Sequence, residues 1–378
     1  MSTWAALGMA WSGLAGGFSA VALARLMRRR PAVASTRVPV LLLRPVDAPT
    51  PREVENLATP IDYAGPLEHV VLAPERPPLP EHVRWVPSDP STPNRKVGHL
   101  LHALRVLPRE GRVVLVVDAD VVVTGELVAG LAAPVAAGAA LSTAVPTPVD
   151  ARGLAGRAVA ALLRRTHHSF RALHVMSAGA AAVCGKALGL SGRAVEELPE
   201  LVDHIGEDLE LSKRLHARGL GVALCEVPAV VPLAAGDWDA ALARFTRWMQ
   251  VLRSHRPGLY PTVPLLFTPT WPLLVLGMAA GSPGLRGCVA ALVAVRTLLS
   301  WRLARLSAPG ALPGAGRPEG GALRFALDWL LGEALLLAAF VRSLAHPPRV
   351  TWRGRVYALH PGGRMSPGWT ELKQEGGV

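Results

Sequence analysis

A chain of 378 residues, half of them apolar, with a formal charge of +12, exceeds one ordinary domain. Its mean hydropathy of +0.30 is high for a soluble protein. The basic residues gather beside apolar stretches (Arg28 to Arg30, Arg302, Arg305, Arg349, Arg353, Arg355), which is membrane charge; without an interleaved aromatic–basic surface they argue against a nucleic-acid partner.

From Thr3 to Ala24 there is no charged residue, enough to cross a bilayer as a helix, and Arg25 and Arg28-Arg29-Arg30 follow. Positive charge after the apolar core predicts an uncleaved anchor over residues 1–30, with its arginine end cytoplasmic. Residues 31–235 have the mixed composition of a globular domain. Val38 to Leu43 reads as a buried strand ending at Arg44-Pro45, and Arg52 to Ala58 as a helix. His69 to Ala73 is a second strand, closing at Pro74-Glu75, and the Pro-rich stretch 74–93 reads as loop. Val97, Leu100, Leu101, Leu104 and Leu107 have helical spacing over Lys96 to Leu107. Val113 to Val117 is a strand and Gly125 to Ala137 a helix. This alternation predicts an α/β domain with a mostly parallel sheet, and no internal repeat is visible.

The strand Val113–Val117 runs into Asp118-Ala119-Asp120. Ligands of open α/β sheets bind beyond the carboxyl ends of the strands. Two oxygen ligands there suit a hard divalent cation carrying a diphosphate. Asp is also a common turn residue, and the residues alone leave both readings open. Glu207-Asp208 opens a helix, where acids either answer the helix dipole or place Asp208 as a carboxylate base. His167-His168 fall on different faces of a helix, which excludes a simple two-ligand metal site; ordinary half-exposed histidines are the plainer reading. Arg244, Arg247 and Trp248 adjoin on a helix over 236–259. That helix either lies on a membrane surface or offers guanidinium groups to phosphate and an indole wall to an acceptor.

Apolarity returns over 260–345. Tyr260 to Gly281 is uncharged but Pro-rich, Gly287 to Leu306 contains Arg296 and Arg302, and Phe325 to Leu344 contains Asp328, Glu333 and Arg342. Two to three membrane helices are expected, with Arg296 paired to Asp328 or Glu333 because ionisable groups at membrane depth face protein. If all three segments spanned, the Arg353/Arg355 tail (346–378) would end outside, against the positive-inside rule. A re-entrant or interfacial Tyr260 to Gly281 is the alternative. Cys184, Cys225 and Cys288 are isolated, which gives no disulfide framework or zinc site and agrees with a reducing cytoplasmic location. The excess of arginine, 36 against four lysines, points to a GC-rich bacterial genome.

In this order, Asp118-Ala119-Asp120, Glu207-Asp208 and Arg244-Phe245-Thr246-Arg247-Trp248 resemble the ceramide glucosyltransferases. Arg44-Pro45, Asn94-Arg95-Lys96, His168 and the tail Thr351 to Tyr357 extend the resemblance over nearly the whole chain. It implies a GT-A fold: a Rossmann-like, mostly parallel catalytic domain in the cytoplasm, with one N-terminal and two to three C-terminal membrane helices. It further implies inverting transfer of a hexose, glucose foremost, from a UDP-sugar to the hydroxyl of a membrane lipid such as ceramide. Asp208 would be the base, with Arg244, Arg247 and Trp248 catalytic beside it. Arg44, Glu75, Lys96, Asp118, His168 and Glu207 would bind substrate, and Asp118 and Asp120 would hold Mg²⁺ or Mn²⁺. Partners would be the UDP-sugar, the lipid and the bilayer, at a bacterial inner membrane. Glu75 stands where the family has Asp, and Arg244 replaces a Gln, which leans toward single-sugar transfer. Another acceptor lipid such as a hopanoid, a polysaccharide synthase and a non-catalytic membrane scaffold are the rival readings.

Overall fold

The computed structural model describes residues 2–27, 36–176, 183–233, 236–306, 321–352 and 355–367. The chain divides into two compact units. The first, a sheet unit, is assembled from Arg30–Thr147, Leu173–Pro232 and Tyr357–Val378. Its strands are β1 (Val40–Pro45), β2 (Leu67–Ala73), β3 (Arg84–Pro87), β4 (Val113–Val117), β5 (Leu141–Thr143), β7 (Ala187–Leu190) and β8 (Val222–Leu224). β6 (Pro146–Val149) and β9 (Ala229–Pro232) form a separate two-stranded ribbon. The seven sheet strands lie in the order β3-β2-β1-β4-β7-β5-β8.

The pairs β3–β2, β2–β1, β1–β4 and β5–β8 are parallel, while β7 runs antiparallel to both β4 and β5. The sheet is thus mixed α/β and mostly parallel, as the alternation of elements predicts. Its central strands are covered on both faces, so Val40-Leu41-Leu42-Leu43 and Val113 to Val117 read as unbroken apolar runs rather than alternating ones. Leu41, Leu43, Val70, Leu72, Val114 and Val116 pack with Val97, Leu100 and Ala103 of the helix Arg95–Val106. Each such buried Val or Leu contributes roughly 1.5–3 kcal/mol. β1, β2 and β4 are mutually parallel through β1, so their carboxyl ends share one edge of the sheet.

One expectation is corrected here. The Pro-rich stretch 74–93 is not all loop, because Arg84–Pro87 adds an edge strand to β2. β5, β7 and β8, for which no strand is read from the sequence, extend the sheet beyond the helix Gly125–Ala136. These strands have only three or four residues and lack a period-two pattern to betray them. The last stretch of the unit returns to the loop ahead of Glu207. Ile205 N–H donates to Gly363 O at 2.9 Å and Met365 N–H to Asp203 O at 2.7 Å.

The helical unit comprises Met1–Arg29, Pro148–Ala172 and Leu233–Val356. The helix Gly153–Met176, expected inside the globular domain, begins in this unit instead, because Ala158 and Leu162 pack with Leu335 and Ala339 of the helix Ala322–Ala345. Among the described residues two helices are long and apolar enough to cross a membrane, Thr3–Met27 and Pro283–Arg305. The Pro-rich segment breaks into a short π-helix, Val263–Phe267, and the ten-residue helix Thr270–Ala279. That helix rises about 15 Å, half of a ~30 Å hydrocarbon core, so it cannot span alone.

Two buried carboxylates of this unit, Glu333 and Asp328, are paired with arginines. Arg296 is 1 % exposed and Glu333 fully buried, and the two form an ion pair. Thr270 N–H, at 3.1 Å, and Trp329 Nε1, at 2.8 Å, also donate to the Glu333 carboxylate. Asp328 pairs with Arg157 instead, at 2.5 Å. Of the two carboxylates expected for Arg296, it takes Glu333. Among the described residues the large exposed apolar side chains, including Trp4, Leu14, Val275, Met278 and Leu327, all lie in this unit except Val106.

In the sheet unit, the helix Gly125–Ala136 that follows the acid loop is capped by Thr124, whose hydroxyl accepts Leu127 N–H. A Cβ on Gly125 would lie 1.5 Å from the backbone oxygen of Asp62. Gly125→Ala is therefore expected to destabilise the sheet unit by about 3 kcal/mol, because backbone has to move. Thermal unfolding of the purified variant followed by circular dichroism checks this, and an unchanged midpoint would contradict the close approach.

Candidate active site

At the end of β4 the chain turns through Asp118-Ala119-Asp120, and its backbone is held from below. Arg44, at the end of β1, is fully buried. Its Nη2 donates to the carbonyls of Asp118, Ala119 and Val121 at 3.0, 3.2 and 2.7 Å. Asn56 Nδ2 adds a second bond to Ala119 O at 3.3 Å. Burial lowers the Arg44 guanidinium to about 10, against the charges of Asp120 and Asp118, so it stays charged at neutral pH. Arg44, expected to bind substrate, supports the acid loop through this one nitrogen, while its buried Nε and Nη1 have no hydrogen-bond partner among the described residues.

The two carboxylates point at lysines. Asp118 Oδ1 lies 2.8 Å from Lys96 Nζ, and Asp118 Oδ2 lies 3.6 Å from Lys186 Nζ. Asp120 Oδ2 is 2.5 Å from the same Lys186 ammonium. Both acids thus converge on one small cation. Lys96 also donates to Gly185 O at 2.6 Å and faces Glu207 Oε1 at 3.3 Å. Burial alone would lower the Lys96 ammonium, but the charges of Asp118 and Glu207 outweigh it and raise the group.

Asn94 joins this cluster to the next helix. Its Oδ1 caps the helix Arg95–Val106 by accepting Val97 N–H at 3.2 Å. Its Nδ2 donates to His204 O at 2.7 Å and to Glu207 Oε2 at 3.2 Å. Glu207 and Asp208 open the helix Glu207–Ala217 after Gly206, which adopts φ +72°, a left-handed conformation suited to glycine. Asp208 Oδ2 accepts Gly185 N–H at 2.6 Å, and Oδ1 accepts Leu209 N–H at 2.9 Å. Burial of the carboxyl, together with the charge of Glu207, raises Asp208 to about 7, although Lys96 pulls the other way. A carboxyl poised near neutrality beside an ion cluster is the usual condition of a general base.

Asp118, Asp120, Lys96, Glu207 and Asp208 are therefore brought together as the sequence expects. Glu75 is exposed just past β2, on the sheet edge that carries Asp118. The side chain of His168 lies outside the described residues. Arg244, Arg247 and Trp248 sit in the helical unit, on the helix Trp238–His255. There the Arg244 guanidinium lies over the Trp248 ring at 5.6 Å, and Phe245 meets that ring edge-on at 5.1 Å. Sequence reasoning missed Lys186 and Gly185. The signal available was composition: in a chain with four lysines, two of them stand on this acid cluster. Cys184 beside them is held protonated, its thiol pushed up to about 12 by burial and by Asp208.

The acid pair suits a metal in its chemistry. Two carboxylates already share one cation, and their oxygens are hard donors of the kind Mg²⁺ and Mn²⁺ take. Among the described residues no group of three or more His, Cys, Asp or Glu surrounds such a position, so the protein alone supplies few ligands.

Comparison with known families places the chain among the glycosyltransferases. It belongs to glycosyl transferase family 21, whose model matches residues 80–365. That match takes in the acid pair, Asp208, Arg244 to Trp248 and the returning tail, and leaves out Arg44 and Glu75. Among curated proteins none matches. Among solved structures, the mannosyltransferase PcManGT from Pyrobaculum calidifontis, in complex with GDP-Man and Mn²⁺, is similar at 16% identity and a TM-score of 0.47, over 90% of this chain and 99% of that one. TarS 1-349 of S. aureus, in complex with UDP-GlcNAc, is similar at 11% identity and a TM-score of 0.33, over 87% and 99%.

Proposed function

We propose that this glycosyltransferase moves a hexose, glucose foremost, from a UDP-sugar to the hydroxyl of a membrane lipid with inversion at the anomeric carbon. The observation that carries the reading is the raised Asp208 carboxyl next to Glu207, which shares the Lys96 ammonium with Asp118 of the acid pair. Asp208 takes the proton of the acceptor hydroxyl as its oxygen attacks the anomeric carbon. The bond from that carbon to the diphosphate breaks on the opposite face, so an α-linked donor gives a β-glycoside. Mg²⁺ or Mn²⁺, held by Asp118 and Asp120, would supply charge neutralisation on the departing diphosphate. Lys96 keeps Asp118 and Glu207 oriented and adds positive charge to the same edge. Arg244, Arg247 and Trp248 are assigned by the family motif to the phosphates and the acceptor.

A lipid acceptor is supported by the apolar surface of the helical unit and its two helices of membrane length. We take Thr3–Met27 and Pro283–Arg305 as membrane spans, with Arg28 to Arg30 and the catalytic unit cytoplasmic. Ceramide is the foremost acceptor and a hopanoid or diacylglycerol the alternative. Mass spectrometry of lipids from a host expressing the protein decides among them, and extractable long polysaccharide would sink the lipid reading.

Asp208→Asn is expected to lower transfer by about 10³-fold or more while nucleotide-sugar binding, read by calorimetry, persists; near-normal turnover would remove the base assignment. The acting form is the carboxylate and its proton leaves at about pH 7, so kcat/KM should fall as pH drops through 7 and level off above it. A pH profile flat from 5 to 8 would contradict this. Chelation with EDTA is expected to stop transfer and added Mn²⁺ or Mg²⁺ to restore it; full activity in EDTA would take the metal role from Asp118 and Asp120.

A further inference from the structure

Lys186 takes no part in the reaction as derived, yet it holds the most central charge in the cluster. It stands just ahead of β7, and its carbonyl accepts Asp118 N–H at 2.9 Å, which locks its backbone beside the exit of β4. Its ammonium reaches Asp120 Oδ2 at 2.5 Å and Asp118 Oδ2 at 3.6 Å. It therefore bridges the two carboxylates assigned above to the divalent ion. We propose that Lys186 is the resident counter-ion of the acid pair, which yields its place to the divalent cation and then binds the donor's diphosphate. The proposal rests on the reading of Asp118 and Asp120 as a metal-binding pair.

Three physical arguments lead there. Two carboxylates one residue apart repel, and the close ammonium removes that repulsion while the pair waits for its ligand. A divalent cation bound to the same oxygens would lie against the ammonium as a like charge and drive it off. Among the groups present at that moment, the incoming diphosphate oxygens are the anions it can reach while its backbone stays fixed to Asp118. The residue type fits as well. The chain uses arginine 36 times and lysine four, and places a lysine here. A guanidinium would grip both carboxylates in a planar fork, whereas an ammonium on a flexible stem makes single contacts and lets go.

The test uses the full-length protein in detergent, with Mn²⁺ binding measured by electron paramagnetic resonance and UDP binding measured by calorimetry in saturating Mn²⁺. Lys186→Met is expected to bind Mn²⁺ about tenfold more tightly without nucleotide, and UDP about tenfold more weakly with Mn²⁺ present. Lys186→Arg is expected to bind Mn²⁺ more weakly than the natural protein, and it carries the test alone if the Met variant does not fold. A lysine that only braces the loop predicts the opposite for Lys186→Met, a loss of Mn²⁺ affinity, and that result overturns the proposal. Unchanged Mn²⁺ affinity in both variants overturns it too, and unchanged UDP affinity in Lys186→Met removes the diphosphate step. A natural protein that binds neither Mn²⁺ nor UDP would instead sink the metal-site reading beneath it.

Discussion

The acid pair stands where it does because a buried guanidinium holds its backbone from beneath. Arg44 is an expensive residue to place there: an ion taken out of water costs several kcal/mol unless it is hydrogen-bonded and faces opposite charge. Three carbonyls on Nη2 and the charges of Asp118 and Asp120 offset part of that cost. The dependence runs both ways. Without the guanidinium the carbonyls of the acid loop lose their shared donor, and without the acid pair the buried guanidinium loses the opposite charges that offset its burial. The end of β1 and the end of β4 are thereby fixed as one object, and the rest of the cluster is built out from it.

Outward from that object the site is a chain of alternating charges. Lys186 joins the two aspartates, Lys96 joins Asp118 to Glu207, and Asn94 ties Glu207 to the start of the helix that bears Lys96. Four carboxyls (Asp118, Asp120, Glu207, Asp208) face two ammoniums, with the Arg44 guanidinium beneath the acid pair. Within this cluster burial, together with the charge of Glu207, raises the Asp208 carboxyl, while Lys96 pulls it the other way.

Much of this was legible in advance where the residues themselves carry the pattern. Val113 to Val117 is apolar without interruption because both of its faces are buried, and it ends in the acids that leave the core. The helix over Arg95–Val106 announces itself by its spacing, and the buried Arg296 demanded a carboxylate partner, found in Glu333. What stayed hidden depends on contacts between distant stretches. β7 is four residues long and owes its place to pairing with β4 and β5. Arg44 reads the same whether it faces a ligand or a carbonyl, and only the fold decides. Glu333 over Asp328 was likewise a matter of which neighbour Arg157 had already claimed.

The sheet unit is sewn from three stretches, and the last, from Tyr357, bonds the loop at Asp203 and Ile205 that leads into Asp208. Synthesis runs from the amino end, so those bonds form after the helix Ala322–Ala345 has been made. The acid loop can thus be held by Arg44 long before the loop ahead of Asp208 gains its brace from Gly363 and Met365.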